Sequence, residues 1–535
     1  MPRIHLLTAV LLASATCLPH AAAQCVNPSA GPDIIVGNIP SVTNYGQVGG
    51  TYAYALGTDA CNLGDQPVLW VASTNQHPVI GQNIYRLEAG RFEQIGQSWL
   101  EHGFTALPLS TCCVCQGAGT TSALGVGCSD PYGSSLNGSQ SGLGPRSEVN
   151  ALTGSFMYPF GAQGQTGNAI YKRVQVAGSD VDPALRPTAT YYAECQYVTP
   201  DDAAAGNGRN NASWRPLNRS GFNFQLTGTV RRMEPAVMAW QAADPSVDLQ
   251  MVDIPGEGRF WVGSNCYQGA GNTYRYEYVV FNLNSHRSAG SFTVPVGSGA
   301  QVSGLGMSFP RSHSGEPYDN VAWSAQLLGD RVVWSTDTFA QNPNANALRW
   351  GTTYSFWFES TNQPEVKAAT LGLFRPGAEA DPLVSVCGPR AGVPGLIVTN
   401  YCAASANSTG STGSITARNI DLTGYTLQLE ATNLPRDVFA YSLASETQDF
   451  TPNPGGSSGN LCLGGSIGRV VGGAILNTGG AGSLLEDVDL NLIPQPSGAV
   501  AVQSGSTWYF QIWHRDSLLG LPTSNFTDGV RVRFP

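Results

Sequence analysis

Apolar and polar residues alternate with a period of two along most of this chain. In YRYEYVVFNLN, Tyr274, Tyr276, Tyr278 and Val280 fall on one face; in TYSFWFES, Tyr354, Phe356 and Phe358 do. DVDLNLIP alternates Val488, Leu490 and Leu492, and TWYFQIWHRD sets Trp508, Phe510 and Ile512 against Tyr509, Gln511 and Trp513. The closing GVRVRFP buries Val530, Val532 and Phe534 and exposes Arg531 and Arg533. Such runs, bounded by Gly, Asn and Pro clusters, are predicted strands, and many of them at short spacing suggest sandwiches. Helical spacing is rare. Gly90–Phe104 (GRFEQIGQSWLEHGF) is read as a short helix ending at Gly103, and DPALRP and DDAAAGN as single turns.

Domains usually run to roughly 100–200 residues, so 535 residues suggest about three of them. The Pro-, Gly- and Ala-rich stretch from Phe374 to Gly395 reads as a linker. The predicted order is a leader over 1–24, a β-rich N-terminal domain over 25–230, a β-sandwich over 231–375, a linker over 376–395 and a second sandwich over 396–535. The expected fold class is all-β: two Ig-like or jelly-roll-like sandwiches following a less regular, disulfide-tied front domain.

The N-terminus, MPRIHLLTAVLLASATCLPHAAAQ, has one early Arg3, an apolar run from Leu6 to Leu18 and a small-residue end at Ala21–Ala23. That is the layout of a secretory leader cleaved near Ala23 or Gln24. The apolar run is shorter than the roughly 20 residues needed to span a bilayer. Gln24 is a poor residue before a lipidated cysteine, which argues against lipidation at Cys25. The expected location is secreted or extracellular, with the periplasm and the cell surface as variants.

Export places the thiols in an oxidising space. Of the 12 cysteines, Cys17 leaves with the leader. The odd remainder requires at least one cysteine that is free, lipidated or bonded to another molecule. The formal net charge of −10 argues against a nucleic-acid partner, whose phosphates need a basic face. It argues equally against charge-driven binding to anionic lipid.

Cys112, Cys113, Cys115 and Cys128 crowd one Gly/Ser/Thr-rich stretch, STCCVCQGAGTTSALGVGCSDPYGSSLNG. The CxxC spacing of Cys112 and Cys115 is compatible with structural zinc or a redox pair. The exported location favours disulfides, because loops of this composition bury no core and gain from covalent closure. Adjacent Cys112 and Cys113 point to different partners, with Cys115, Cys128, Cys61 and Cys25 as recipients. Spacing does not fix the connectivity. Cys402 and Cys462 make a self-contained pair, while Cys195, Cys266 and Cys387 stay open.

GNLCLGGSIGR, TWYFQIWHRD and TSNFTDGV together resemble a C-terminal domain that recurs in secreted multidomain proteins of bacteria. LGVGCSDPYGSSLNGSQSGLGPRSEVN and HSGEPYDN are similar to segments in the N-terminal region of another such secreted family. The resemblance implies a secreted modular architecture and carries over no catalytic residue.

Candidate chemistry is sparse. His77, His102 and His313, with Glu316 or Asp319 as carboxylate ligand or general base, are the candidate zinc or copper set, since imidazole suits both metals. Calcium is the preferred cofactor candidate on ligand type alone. Asp130 and Asn137, Asp180 and Asp182, and Asp201 and Asp202 offer hard oxygens, although Asx-rich turns have their own local use for such side chains. GGSSG at Gly455–Gly459 matches a nucleophile elbow in letters only, because that motif needs a strand-to-helix turn in an α/β fold. A glycosidase pair drawn from Glu93, Glu101, Asp130, Glu148 and Glu194 is not selected by spacing.

NPNANALRWG gathers Asn342, Asn344, Asn346, Arg349 and Trp350 on one loop, a mixture suited to a sugar ring. The preferred functional expectation is therefore a secreted binding or structural protein that contacts a glycan, matrix or cell surface. The alternative is an extracellular metal-dependent hydrolase or metalloenzyme with a histidine-based site between the first two domains.

Overall fold

Tyrosine, tryptophan, valine and threonine fit a pleated, half-buried surface, and this chain uses them in runs that the structure turns into antiparallel sheets. The structure is a computed structural model and describes residues 28–269, 273–297, 300–390, 397–422, 424–470 and 476–534. The expected leader, Cys25 and the end of the expected linker lie outside the described residues. Among the described residues helix is confined to short turns such as Pro200–Ala205 and Met238–Ala243. No helix among the described residues is long and apolar enough to cross a membrane.

The chain divides into two compact units: residues up to Arg86 with Ile95–Ala236 and His313–Glu316, and Leu87–Gln94 with Val237–Ser312 and Pro317 onward. In the first unit, the strands Ile34–Asn38, Thr58–Asn62 and Ser129–Tyr132 form one sheet. Val174–Ala177, Thr51–Leu56 and Val42–Val48 form a second. Asn223–Leu226, Ala212–Ser220, Thr190–Val198 and Val79–Glu88 run side by side in a third. All three contribute to one core, with Ile34, Val36, Tyr54, Val174, Val176, Tyr191, Ala193 and Tyr197 buried together.

Sulfur reinforces the loops around this core. Cys61 bonds Cys112 and Cys115 bonds Cys128, while Cys113 is also disulfide-bonded. Cys112 and Cys115 thus have different partners, and neither zinc ligation nor an internal CxxC redox pair occurs. Closing loops of 51 and 13 residues removes unfolded-chain entropy worth about 3–4 kcal/mol each. Cys195, fully buried, is the free cysteine among the described residues.

Two five-stranded sheets make a sandwich in the second unit. One runs Asp248–Ile254, Gly258–Gln268, Tyr274–Asn282, Thr352–Ser360 and Val302–Ser308. The other runs Ser324–Leu328, Arg331–Ser335, Ala289–Pro295, Pro364–Leu373 and Leu383–Pro389. Tyr276, Tyr278, Phe356 and Phe358 from the first meet Phe292, Trp334 and Val386 from the second. Cys266 and Cys387 clasp the two sheets. Leu383–Pro389 lies inside the stretch read as a linker, yet it pairs along its length with Pro364–Thr370.

A second sandwich follows. Trp508, Phe510, Ile512, Val530 and Val532 of one sheet pack on Ile415, Leu427, Leu429 and Val488 of another, and Cys402 bonds Cys462. The alternation expected through Leu492 stops with the strand at Asp489, and Leu492 is exposed.

The expected helix at Gly90–Phe104 is instead the strand Arg91–Gln97 and the short Glu101–His102. Two positive-φ residues, Ala89 (+50°) and Gly90 (+81°), turn the chain tightly into that strand. A Cβ on Gly96 would stand 2.5 Å from the Gln175 carbonyl, so the close approach there requires glycine.

Candidate functional site

The expected transition-metal set does not assemble. His77 and His102 come together, their rings stacked with centroids 4.5 Å apart, but both nitrogens of His102 and Nδ1 of His77 face backbone oxygens, while His77 Nε2 is buried without a partner. His77 Nδ1 lies 2.8 Å from the Pro78 carbonyl. His102 has Gly103 O at 3.0 Å from Nδ1 and Thr74 O at 2.7 Å from Nε2. His313 spends Nδ1 on Ser314 Oγ and Nε2 on the Gln97 carbonyl. Glu316 accepts from the backbone N–H groups of Arg146 and Ser147, and Asp319 accepts from Asn342 Nδ2 and Val321 N. Among the described residues no three His, Cys, Asp or Glu side chains gather as a metal site. Burial pulls the His77 imidazole down to about 3 and His313 to about 4, so both rings are neutral and structural.

The calcium candidates are also engaged internally. Asp180 pairs with Arg86 and, more loosely, Arg186. Asp182 accepts from Ala184 N, closing its own turn. Asp201 accepts from Leu69 N and Thr199 Oγ1, and Asp202 from Ile34 N and Asn211 Nδ2. Asp130 accepts from Leu107 N, while Asn137 Nδ2 donates to Leu56 O and Thr58 Oγ1. These are the local and long-range caps that Asx side chains provide in loops.

In the expected sugar loop Asn346, Arg349 and Trp350 are buried in the scaffold, while Asn344 is exposed. Asn346 accepts from Tyr354 Oη and donates to Val321 O. Arg349, 7% exposed, stacks over Tyr318 and Phe374 and donates to the Pro343 and Ala345 carbonyls. Trp350 is buried, and Asn342 accepts from Asn344 N. A polar–aromatic loop composition is common to ligand sites and to loops that must satisfy themselves inside a fold; here the second use wins.

An open concavity lies elsewhere in the first unit. A cleft of about 460 Å³ is lined by Gly37, Asn38, Asp59, Thr111, Cys112, Arg215, Gly228, Thr229, Val230 and Arg232. Asn38 and Asp59 sit near the ends of paired strands, Ile34–Asn38 against Thr58–Asn62. The Cys61–Cys112 bridge packs directly on Gly37, where a Cβ would stand 2.0 Å from the Cys61 sulfur. Arg215 projects from the Ala212–Ser220 strand. Its Nε donates to the Thr227 and Gly228 carbonyls, and its Nη1 to Asn38 Oδ1 and Ile39 O. Arg232 is exposed and donates from Nε to the Gly37 carbonyl at 2.7 Å.

Asp59 accepts from Asn38 Nδ2 at 3.1 Å. Burial raises its carboxyl above the ordinary range, against the opposing pull of Asn38 and Arg232. The cleft therefore presents two anchored guanidiniums, a partly desolvated carboxyl, a carboxamide and hydroxyls on a disulfide-braced floor. The sequence carried no sign of this group. Arg215 and Asn38 are 177 residues apart, and only the cysteine at Cys112 drew attention to its neighbourhood.

No protein-family model matches this chain, and no curated protein matches it. Among solved structures, the C-terminal domain of the AgI/II polypeptide BspA of Streptococcus agalactiae aligns with 53% of this chain and 99% of its own, at 10% identity and a TM-score of 0.16. A superposition that loose carries no argument about fold or function.

Proposed function

We propose that this chain works outside the cell as a binding or structural protein, a series of disulfide-tied β modules whose ligand-contacting surface is the cleft beside Cys61–Cys112. The observation that carries this reading is the unspent hydrogen-bonding capacity of that cleft: Arg215, Arg232 and Asp59 each bond the scaffold through some of their polar atoms and line the cleft with others still to be matched. Pockets with a few placed polar groups are the usual form of small-ligand sites. The disulfides, the secretory leader and the resemblance of the terminal strands to secreted modular proteins support an extracellular setting.

The test is a surface-ligand array of glycans and matrix components, probed with the mature protein and with an Arg232→Gln variant. The expected result is at least one ligand whose signal falls in the variant. Equal signals for every ligand would remove the cleft from the function.

A further inference from the structure

The lining of the cleft is opposite in sign to the net charge of the chain. The chain carries a formal net charge of −10, while the cleft holds two arginines against one aspartate. Both guanidiniums are fixed from behind. Arg215 uses Nε and Nη1, and Arg232 uses Nε, on the scaffold. Among the described residues, Arg215 Nη2 and both terminal nitrogens of Arg232 have no acceptor. A guanidinium pinned by its inner nitrogens has little freedom left to lose: Arg232 offers the planar fork of its two terminal nitrogens to a carboxylate, and Arg215 adds the single nitrogen Nη2 beside it.

Beside that fork stand groups suited to hydroxyls. Asp59 has one oxygen held by Asn38 and the other open. Thr229 lines the same wall. A doubly charged phosphate would meet Asp59 as well as the arginines, and the like-charge contact would cost it affinity. A singly charged carboxylate flanked by hydroxyls uses both signs at once.

We propose that the cleft binds a carboxylated sugar, with the carboxylate on the open edges of Arg215 and Arg232 and the neighbouring hydroxyls on Asp59 and Thr229. This rests on the reading of the cleft as the ligand-contacting surface and names the chemistry it takes. The cleft's volume falls within the roughly 300–1,000 Å³ of small-molecule sites, which suits the end or a short stretch of an acidic polysaccharide.

The test titrates the full mature chain by calorimetry with a galacturonate trisaccharide, its methyl ester and free galacturonate. The expected result is binding of the trisaccharide, weakened by added salt and absent for the ester. Arg232→Gln is expected to weaken it by about tenfold or more, the scale of a lost charged hydrogen bond. Arg232→Lys, keeping charge but losing the fork, should fall between. Unchanged melting of these surface variants shows that folding is intact. Tighter binding of the trisaccharide than of the free acid identifies a polymer as the source, and the reverse order identifies a free sugar acid.

Equal binding of acid and ester, or of parent and Arg232→Gln, would overturn the inference. Failure of every uronate, with a different array ligand lost in Arg232→Gln, would overturn the ligand class and leave the cleft reading standing. Array ligands indifferent to Arg232→Gln would overturn both.

Discussion

Single residues in the first unit carry unusual protonation states, and these make its stability depend on pH. Asp130 is 1% exposed, with Oδ2 lacking a partner, and burial pushes its carboxyl up to about 7. The unfolded chain releases that proton near pH ~4. The stabilisation from the retained proton is therefore full below pH ~4 and is lost as pH rises through about 7. His77 acts in the opposite sense. Its folded value of about 3 lies below the unfolded ~6.5, so its contribution is full above pH ~6.5 and is lost as pH falls toward 3. The two windows overlap and partly cancel, so Asp130→Asn separates them. The variant should gain on the parent between pH 5 and pH 8 in urea denaturation, and a gap of the same size at both values would contradict this assignment. Residue types alone single out these histidines as metal ligands, whereas among the described residues no metal set gathers around them. His102 meets the carbonyl of its neighbour Gly103 and that of Thr74, 28 residues away, which only the folded chain brings into reach, and a side chain satisfied by backbone looks the same in sequence as one awaiting a metal.

Strands were legible where their two faces meet different surroundings. Trp508, Phe510 and Ile512 enter one core, and Tyr509 and Trp513 pack in a smaller cluster on the other face. Arg91–Gln97 was misread because it is buried on both sides, with polar Glu93, Gln94 and Gln97 among the buried residues. With those polar positions inside, the visible apolar residues Phe92, Ile95 and Trp99 imitate helical spacing. Gln94 accepts from Thr353 N, a partner 259 residues away, and no local pattern announces that bond. Leu383–Pro389 was hidden for another reason: its proline-rich flanks suggest a linker, but an edge strand tolerates proline at its ends. The clasp from that strand has a measurable consequence. Cys266→Ala combined with Cys387→Ala reopens a separation of 121 residues and should cost the sandwich about 2–5 kcal/mol in denaturant unfolding. An unchanged midpoint would show that the sheets hold without it.

For the molecule as a whole, composition and cysteine arithmetic were more informative than any motif. The odd cysteine expected from the count is buried Cys195, with its thiol pushed well above the usual range by burial, which leaves it inert rather than reactive. The remaining described cysteines are all oxidised. The all-β class was readable from alternation, whereas the cleft was not, because its residues come from segments far apart in the chain and only the fold brings them together. An exported protein whose loops are tied by sulfur around a preformed cleft is the central claim, and differential alkylation of the secreted product with non-reducing peptide mapping tests it most directly. The expected result is a chain beginning near Cys25, no label before unfolding, label on Cys195 after unfolding, and linked peptides for Cys61–Cys112, Cys115–Cys128, Cys266–Cys387 and Cys402–Cys462. Label on those eight cysteines in the native product, or an intact leader on an intracellular chain, would contradict it.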